Sequence, residues 1–212
     1  MSLHFLHIHK TGGTSFSRSI ESVLKKSQIC PINFEFQFLL NSNDKIKNIE
    51  KYKIMEKINS YKFFSGHFGL QIKEKFFEDA ETIVLIRDPV ERLLSCFLFW
   101  KYQKNKIKHS LNLKLHNLSF EEFVFSNDKE IISSTHNVQI RLLAGASFGK
   151  KPLARTQVIG PNIDKDKIKS LAKNFLDKNP LNARTNSMNL ILEKVSDILG
   201  KKIEPNRFRE RD

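Results

Sequence analysis

The run Thr82-Ile83-Val84-Leu85-Ile86 puts apolar or β-branched side chains on both faces of an extended segment. A half-solvated antiparallel strand alternates apolar and polar positions, so this run belongs in a parallel sheet covered on both sides. Leu3-His4-Phe5-Leu6-His7-Ile8 and the stretch Tyr61–Phe68 read as further strands. Helical spacing follows the first and the third of these strands. Phe16, Ile20, Val23 and Leu24 share one face of a helix over 15–26, and Leu93, Leu94, Phe97 and Leu98 are expected to point inward from a helix over 90–103. Amphipathic helices are also expected over 44–58, 119–125, 136–144, 164–176 and 187–199, with loops over 30–43 and 150–161. Ser119 and Glu122 form a capping-box pattern, and Gly200 stops the last helix. Strands alternating with helices predict an α/β domain with a largely parallel sheet. The length of 212 residues predicts a single domain over 1–212.

The formal net charge is +13. Such a balance favours an anionic partner, whether nucleic acid, charged polysaccharide or polyphosphorylated cofactor, although lysines this scattered also suit ordinary solvated faces. Cys30 and Cys96 cannot make a disulfide scaffold, and no CxxC or His/Cys cluster suggests structural zinc. The longest apolar runs, Thr82–Ile86 and Leu93–Trp100, are too short to span a bilayer. The first residues lack the basic and apolar regions of a signal peptide. The expectation is a soluble cytoplasmic protein without a transmembrane segment.

Two segments concentrate the chemistry, and each follows a strand, where parallel sheets bind ligands. In Lys10-Thr11-Gly12-Gly13-Thr14-Ser15 the glycines let the backbone turn tightly, and the helix that follows offers N–H groups and a positive dipole end. This is a nest for phosphate or sulfate, with Lys10 as a mobile cation and Thr11, Thr14 and Ser15 as hydroxyl donors. A plain strand–turn–helix junction would use the same glycines. The lysine precedes the glycines, and no GxxxxGK[ST] occurs, so the loop is not a Walker A motif. In the second segment, Arg87-Asp88-Pro89 leaves the clearest strand, and Ser95 lies two turns into the next helix. Arg87 and Ser95 can converge on one phosphate through charge-assisted and hydroxyl hydrogen bonds. Taken alone, Arg-Asp-Pro is also a common turn.

The stretch His7-Ile8-His9-Lys10-Thr11-Gly12-Gly13-Thr14-Ser15-Phe16 resembles the 5′-phosphosulfate loop of the carbohydrate sulfotransferases, a family that includes the heparan and uronyl 2-O-sulfotransferases and bacterial relatives. Ile83–Ser95 resembles the family's 3′-phosphate motif. Ser65-Gly66-His67-Phe68-Gly69 is similar to its Gly-His segment, and Asn137-Val138-Gln139-Ile140-Arg141 to its Asn-x-Gln-x-Arg helix. Two departures stand out. His9 replaces the usual proline, and Ala183 stands where the family has a glutamate. The tail Pro205–Arg209 resembles the family's basic tail only loosely.

The resemblance implies a P-loop-like, three-layer α/β fold, with a central, mostly parallel sheet flanked by helices. It also implies 3′-phosphoadenosine 5′-phosphosulfate (PAPS) as sulfuryl donor, with no metal expected. Cofactor binding falls to Lys10, Thr11, Gly12, Gly13, Thr14, Ser15, Arg87 and Ser95, and catalysis to Lys10 and His67. The resemblance makes His67 the expected general base, although a histidine there can also simply hold a loop. Asn137 and Arg141 share a helix face and could line the cleft, or belong to a plain surface helix. The acceptor implied is a carbohydrate hydroxyl, on an anionic glycan if the basic surface is used, and no nucleic acid is expected. Two rivals stand beside this reading: a divergent nucleotide kinase, and a non-catalytic nucleotide- or polyanion-binding module. The kinase would want a Walker A loop and a magnesium-binding carboxylate, and decay to a binding module is countered by Lys10 and His67 both being present. Should His67 not be the base, Glu35 and His136 are the next candidates.

Overall fold

The structure, a computed structural model, describes residues 1–31, 53–67, 70–102, 110–144 and 164–206. The expected loop over 30–43 from residue 32 onward, the loop over 150–161, most of the helix over 44–58, Phe68, Gly69, Glu35 and the basic residues of the tail lie outside the described residues.

Four strands make one sheet in the order β2-β1-β3-β4: β1 is Leu3–Leu6, β2 Phe63–Gly66, β3 Glu81–Ile86 and β4 Asn182–Arg184. Every pairing is parallel. Leu6 sits opposite Gly66 on one side and Val84 on the other, and Ile86 opposite Arg184. The carboxyl ends of all four strands therefore meet along one edge. The chain runs from β1 outward to β2, then crosses back over β1 to β3. The β1–β3 boundary is thus a switch point, where connections diverge and a crevice opens.

Alternation along each strand splits the core into two layers. Leu3, Phe5, Ile83 and Leu85 face Phe16 and Ile20 of α1 (Gly13–Glu21) and Ile191, Leu192 and Val195 of the C-terminal helix Met188–Leu199. Leu6 and Val84 face the opposite way, with Val138 and Leu142 of α2 (Val138–Leu143) and Ala172 of the helix Lys165–Lys178. This is the expected three-layer α/β fold. Gly200 closes the C-terminal helix at φ 62, as its sequence position predicts.

α3 spans Pro89–Tyr102 and packs against a satellite of short helices through Cys96, Phe97 and Trp100. Its inward face differs from expectation. Leu94 and Leu98 are 44% and 38% exposed, whereas Arg92 and Trp100 are buried. Trp100 offers more apolar area than leucine. Arg92 goes inside because its guanidinium donates to the Ser134 and Thr135 carbonyls at the end of the helix Lys129–Thr135. That helix was not expected as a separate element. It is divided from α2 at Asn137, which adopts the left-handed conformation at φ 47, one that asparagine tolerates. Further helices are shorter than expected at one end, α1 stopping at Glu21 rather than near Lys26. Among the described residues no helix is long and apolar enough to cross a membrane.

Candidate active site

The loop after β1 turns at once: the Ile8 N–H donates to the Leu6 carbonyl at 3.0 Å, and the buried Thr11 hydroxyl donates to the Ile8 carbonyl at 2.9 Å. Lys10 at φ 67 and Gly12 at φ 82 lie in the left-handed region. Gly12 is the N-cap of α1 and brings no side chain to close its first turn. Side-chain volume is excluded here from two directions. A Cβ on Gly12 would lie 2.9 Å from the Thr185 methyl, and a Cβ on Gly13 would lie 2.1 Å from the His7 ring. The glycines thus let His7 and Thr185 close on the loop. Thr185 also fastens it, since its hydroxyl hydrogen bridges the carbonyls of Thr11 at 2.9 Å and Ile86 at 3.1 Å. One side chain from the end of β4 ties the β1 loop to the end of β3. Thr14 is exposed and Ser15 half-buried in the first turn of α1.

At the adjacent strand end His67 follows Gly66. Its Nδ1 lies 2.6 Å from the His7 carbonyl oxygen, which can only accept. Nδ1 therefore carries the hydrogen, and in the neutral ring Nε2 is the basic nitrogen. The His67 ring lies 4.3 Å from that of His7 and 5.2 Å from that of His9. A cleft of about 360 Å³ opens here, lined by His7 and His67 and, along one face of α1, by Thr14, Ser17, Arg18 and Glu21. Burial pushes the Glu21 carboxyl upward, and the neighbouring Arg18 guanidinium partly opposes this.

The Arg-Asp-Pro segment divides its labour. Asp88 Oδ1 accepts from the N–H groups of Val90 and Glu91 at 2.9 and 3.0 Å, so it caps α3, and Pro89 takes the first helical position. Arg87 Nε donates to Glu91 Oε2 at 3.1 Å, and its Nη1 to the Lys10 carbonyl at 3.5 Å. That second bond joins the two sequence segments across the switch point. Glu91, Ser95 and Phe99 follow at intervals of four along one ridge of α3. Half-buried Ser95 is bracketed by Glu91, which holds Arg87, and by Phe99, whose ring lies under the Lys10 ammonium at 3.9 Å.

Arg141 takes neither of the two places left open for it, the cleft or a plain surface. It is 1% exposed, and its guanidinium donates to the carbonyls of His136 at 2.9 Å and Ser133 at 2.6 Å. Asn137 is exposed at the start of α2. The residue of that helix that reaches the site is Gln139, hydrogen-bonded to the Arg87 backbone. His136 is exposed and lies 3.1 Å from the Thr135 hydroxyl. Sequence reasoning also passed over Thr185, Phe99 and the ring of His7. Among the described residues no group of His, Cys, Asp or Glu is arranged to hold a metal.

A family model described as the sulfotransferase family matches residues 1–161, a span that includes both glycine-loop and Arg-Asp-Pro segments, His67 and Gln139. No curated protein and no solved structure matches the chain.

Proposed function

Since the chain belongs to the sulfotransferase family, and so to the sulfuryl transferases, we propose that it moves a sulfuryl group from PAPS to a carbohydrate hydroxyl, working as one domain over residues 1–212. The observation that carries the reading is the junction at the β1–β3 switch point. There a glycine-lined helix start and the Arg87 guanidinium meet, linked by the Arg87–Lys10 hydrogen bond. A donor with phosphate groups at two positions suits two cationic strand ends lying side by side.

In this reading the backbone N–H groups of Thr11 to Ser15 hold the 5′-phosphosulfate, while Arg87 and Ser95 hold the 3′-phosphate. The Arg87–Glu91 ion pair opens to let the guanidinium face the phosphate. The acceptor lies in the cleft along α1, whose polar face suits a polyhydroxyl ligand. Its hydroxyl oxygen attacks sulfur in line, and the bond between sulfur and the bridging oxygen breaks. The hydroxyl proton passes to His67 Nε2. The bridging oxygen leaves as part of the 5′-phosphate of adenosine 3′,5′-bisphosphate, its growing charge offset by Lys10. Little covalent chemistry falls to the protein, so positioning and charge stabilisation dominate.

The test is transfer of ³⁵S label from PAPS to unsulfated uronate polysaccharides. Label should enter the polysaccharide with the wild-type chain and not with Lys10→Ala. Label moving only to small hydroxylated acceptors would overturn the polysaccharide reading, and equal labelling by Lys10→Ala would remove Lys10 from the chemistry.

A further inference from the structure

The Lys10 ammonium lies over the face of the Phe99 ring, 3.9 Å from its centroid. The negative face of an aromatic ring attracts a cation at that height. The ring is itself held. Phe99 is half-buried and meets Trp100 edge-on, with centroids 5.0 Å apart and planes at 76°. Buried Trp100 in turn lies parallel to His9, at 6.1 Å and 9°, and His9 meets Phe99 edge-on at 5.8 Å. Two consecutive loop residues, His9 and Lys10, are therefore seated on one aromatic pair of α3. Lys10 needs such seating, because its φ of 67 is a backbone conformation that a lysine rarely adopts. Phe99 also stands one turn beyond Ser95 on the ridge that begins with Glu91, so the ring joins the loop to the helix that carries the Arg87 partner.

We propose that Phe99 is a positioning residue for Lys10: its ring face holds the ammonium, charged and already placed, for the oxygen that leaves sulfur. The inference rests on the reading of Lys10 as the donor-side cation, and it adds a residue outside every donor motif. A lysine side chain has four rotatable bonds and loses much rotamer freedom when it is fixed. A ring that fixes it beforehand removes that loss from the reaction step, which is where charge stabilisation has most effect.

Two double-mutant cycles test this. Phe99 is replaced by mono-, di- and trifluorinated phenylalanine, which drain charge from the ring face at nearly constant shape, both in the wild-type chain and in Lys10→Met. The first cycle follows thermal unfolding without ligand. Stepwise loss in the Lys10 chain and none in Lys10→Met is expected, and equal losses in both would overturn the contact. The second compares calorimetric affinity for adenosine 3′,5′-bisphosphate with that for PAPS. The leaving oxygen bears its full charge only in the bisphosphate, so the affinity ratio reports stabilisation of that charge. The trifluorinated ring should lower the ratio by roughly threefold to tenfold, with no fluorine dependence in Lys10→Met, and Phe99→Tyr should match wild type. A ratio that stays constant while the stability cycle shows coupling would make Phe99 a packing residue and overturn the positioning role. A wild-type chain that binds neither nucleotide would refute the donor reading itself, and the positioning role would fall with it.

Discussion

The side-chain amide of Gln139 closes both backbone hydrogen bonds of Arg87, accepting from its N–H at 2.9 Å and donating to its carbonyl at 2.8 Å. Arg87 follows the last residue of β3, where the sheet no longer supplies partners, and Gln139 substitutes for a neighbouring strand. α2 can hold it there because Arg141, two residues on, is locked into the protein interior by carbonyls. Arg87 thus has a main chain held by Gln139 and a side chain held by Glu91 and the Lys10 carbonyl.

Gln139→Ala should therefore cost about 0.5–1.5 kcal/mol of stability in urea unfolding, the usual net range for a hydrogen bond, because both bonds are only half-buried. It should also weaken calorimetric binding of adenosine 3′,5′-bisphosphate. Gln139→Glu keeps an acceptor but aims a carboxylate at the Arg87 carbonyl, and should be worse. Wild-type binding by Gln139→Ala would show that the clamp does not position Arg87.

Gly13 offers a test of sign. In a helix, Gly→Ala is ordinarily stabilising by up to about 1 kcal/mol. Here the added methyl would lie 2.1 Å from the His7 ring. Gly13→Ala should lower the melting temperature, because relieving such overlap costs about 1–3 kcal/mol. Adding His7→Ala should recover most of the loss. A stabilised Gly13→Ala would mean that His7 moves aside freely.

Gln139 and Thr185 mark the limits of what the sequence discloses. Three strands were legible as apolar-rich runs, and the loop and Arg-Asp-Pro segments because each follows a strand, whereas β4, the short polar run Asn182–Arg184, gave no such signal. Gln139 was visible only as a member of a helix motif, whose flanking Asn137 and Arg141 are the more conspicuous residues chemically. Thr185 lies 174 positions from Thr11, and its neighbours Arg184 and Asn186 carry no local signal of that contact. On α3 the residue types were misleading. Leucine at 94 and 98 reads as core and arginine at 92 as surface, yet carbonyls at the end of a helix some 40 residues on decide the matter.

His4 gives a pH prediction. It is fully buried in β1 beside the Phe77 ring, and burial, with a smaller contribution from Lys73, pulls its imidazole down to about 3. Its folded value lies below the unfolded one of about 6.5, so the unfolded chain binds the extra proton between the two. The stability it contributes is present above pH 6.5 and is lost as the pH falls toward 3. Passing from pH 7 to pH 5 should cost the wild type about 2 kcal/mol through this residue. His4→Leu should lack that share, as read from urea unfolding at the two pH values. Equal acid losses in the two proteins would show that His4 takes up its proton without unfolding.

His67→Ala should cut turnover by roughly 10²–10⁴-fold, the usual contribution of a general base. Affinity for adenosine 3′,5′-bisphosphate should change less than about twofold, because proton transfer lies on the acceptor side. Wild-type turnover should fall on the acid side as the imidazole protonates, and His67→Ala should lose that limb. Near-normal turnover by His67→Ala would reduce the His67–His7 hydrogen bond to a loop fastening.

The glycine loop, Arg87 and Ser95 together should hold a nucleotide phosphorylated at both the 3′ and 5′ positions. Calorimetry with adenosine 3′,5′-bisphosphate, AMP, ADP and ATP tests it most directly. The bisphosphate should bind more tightly than the other three by at least about tenfold, or roughly 1.4 kcal/mol. At 100 times its dissociation constant it should stabilise the fold by about 2.7 kcal/mol. Arg87→Ala should erase the preference over AMP while leaving weak binding through the loop. AMP binding as tightly as the bisphosphate in the wild-type chain would contradict the account.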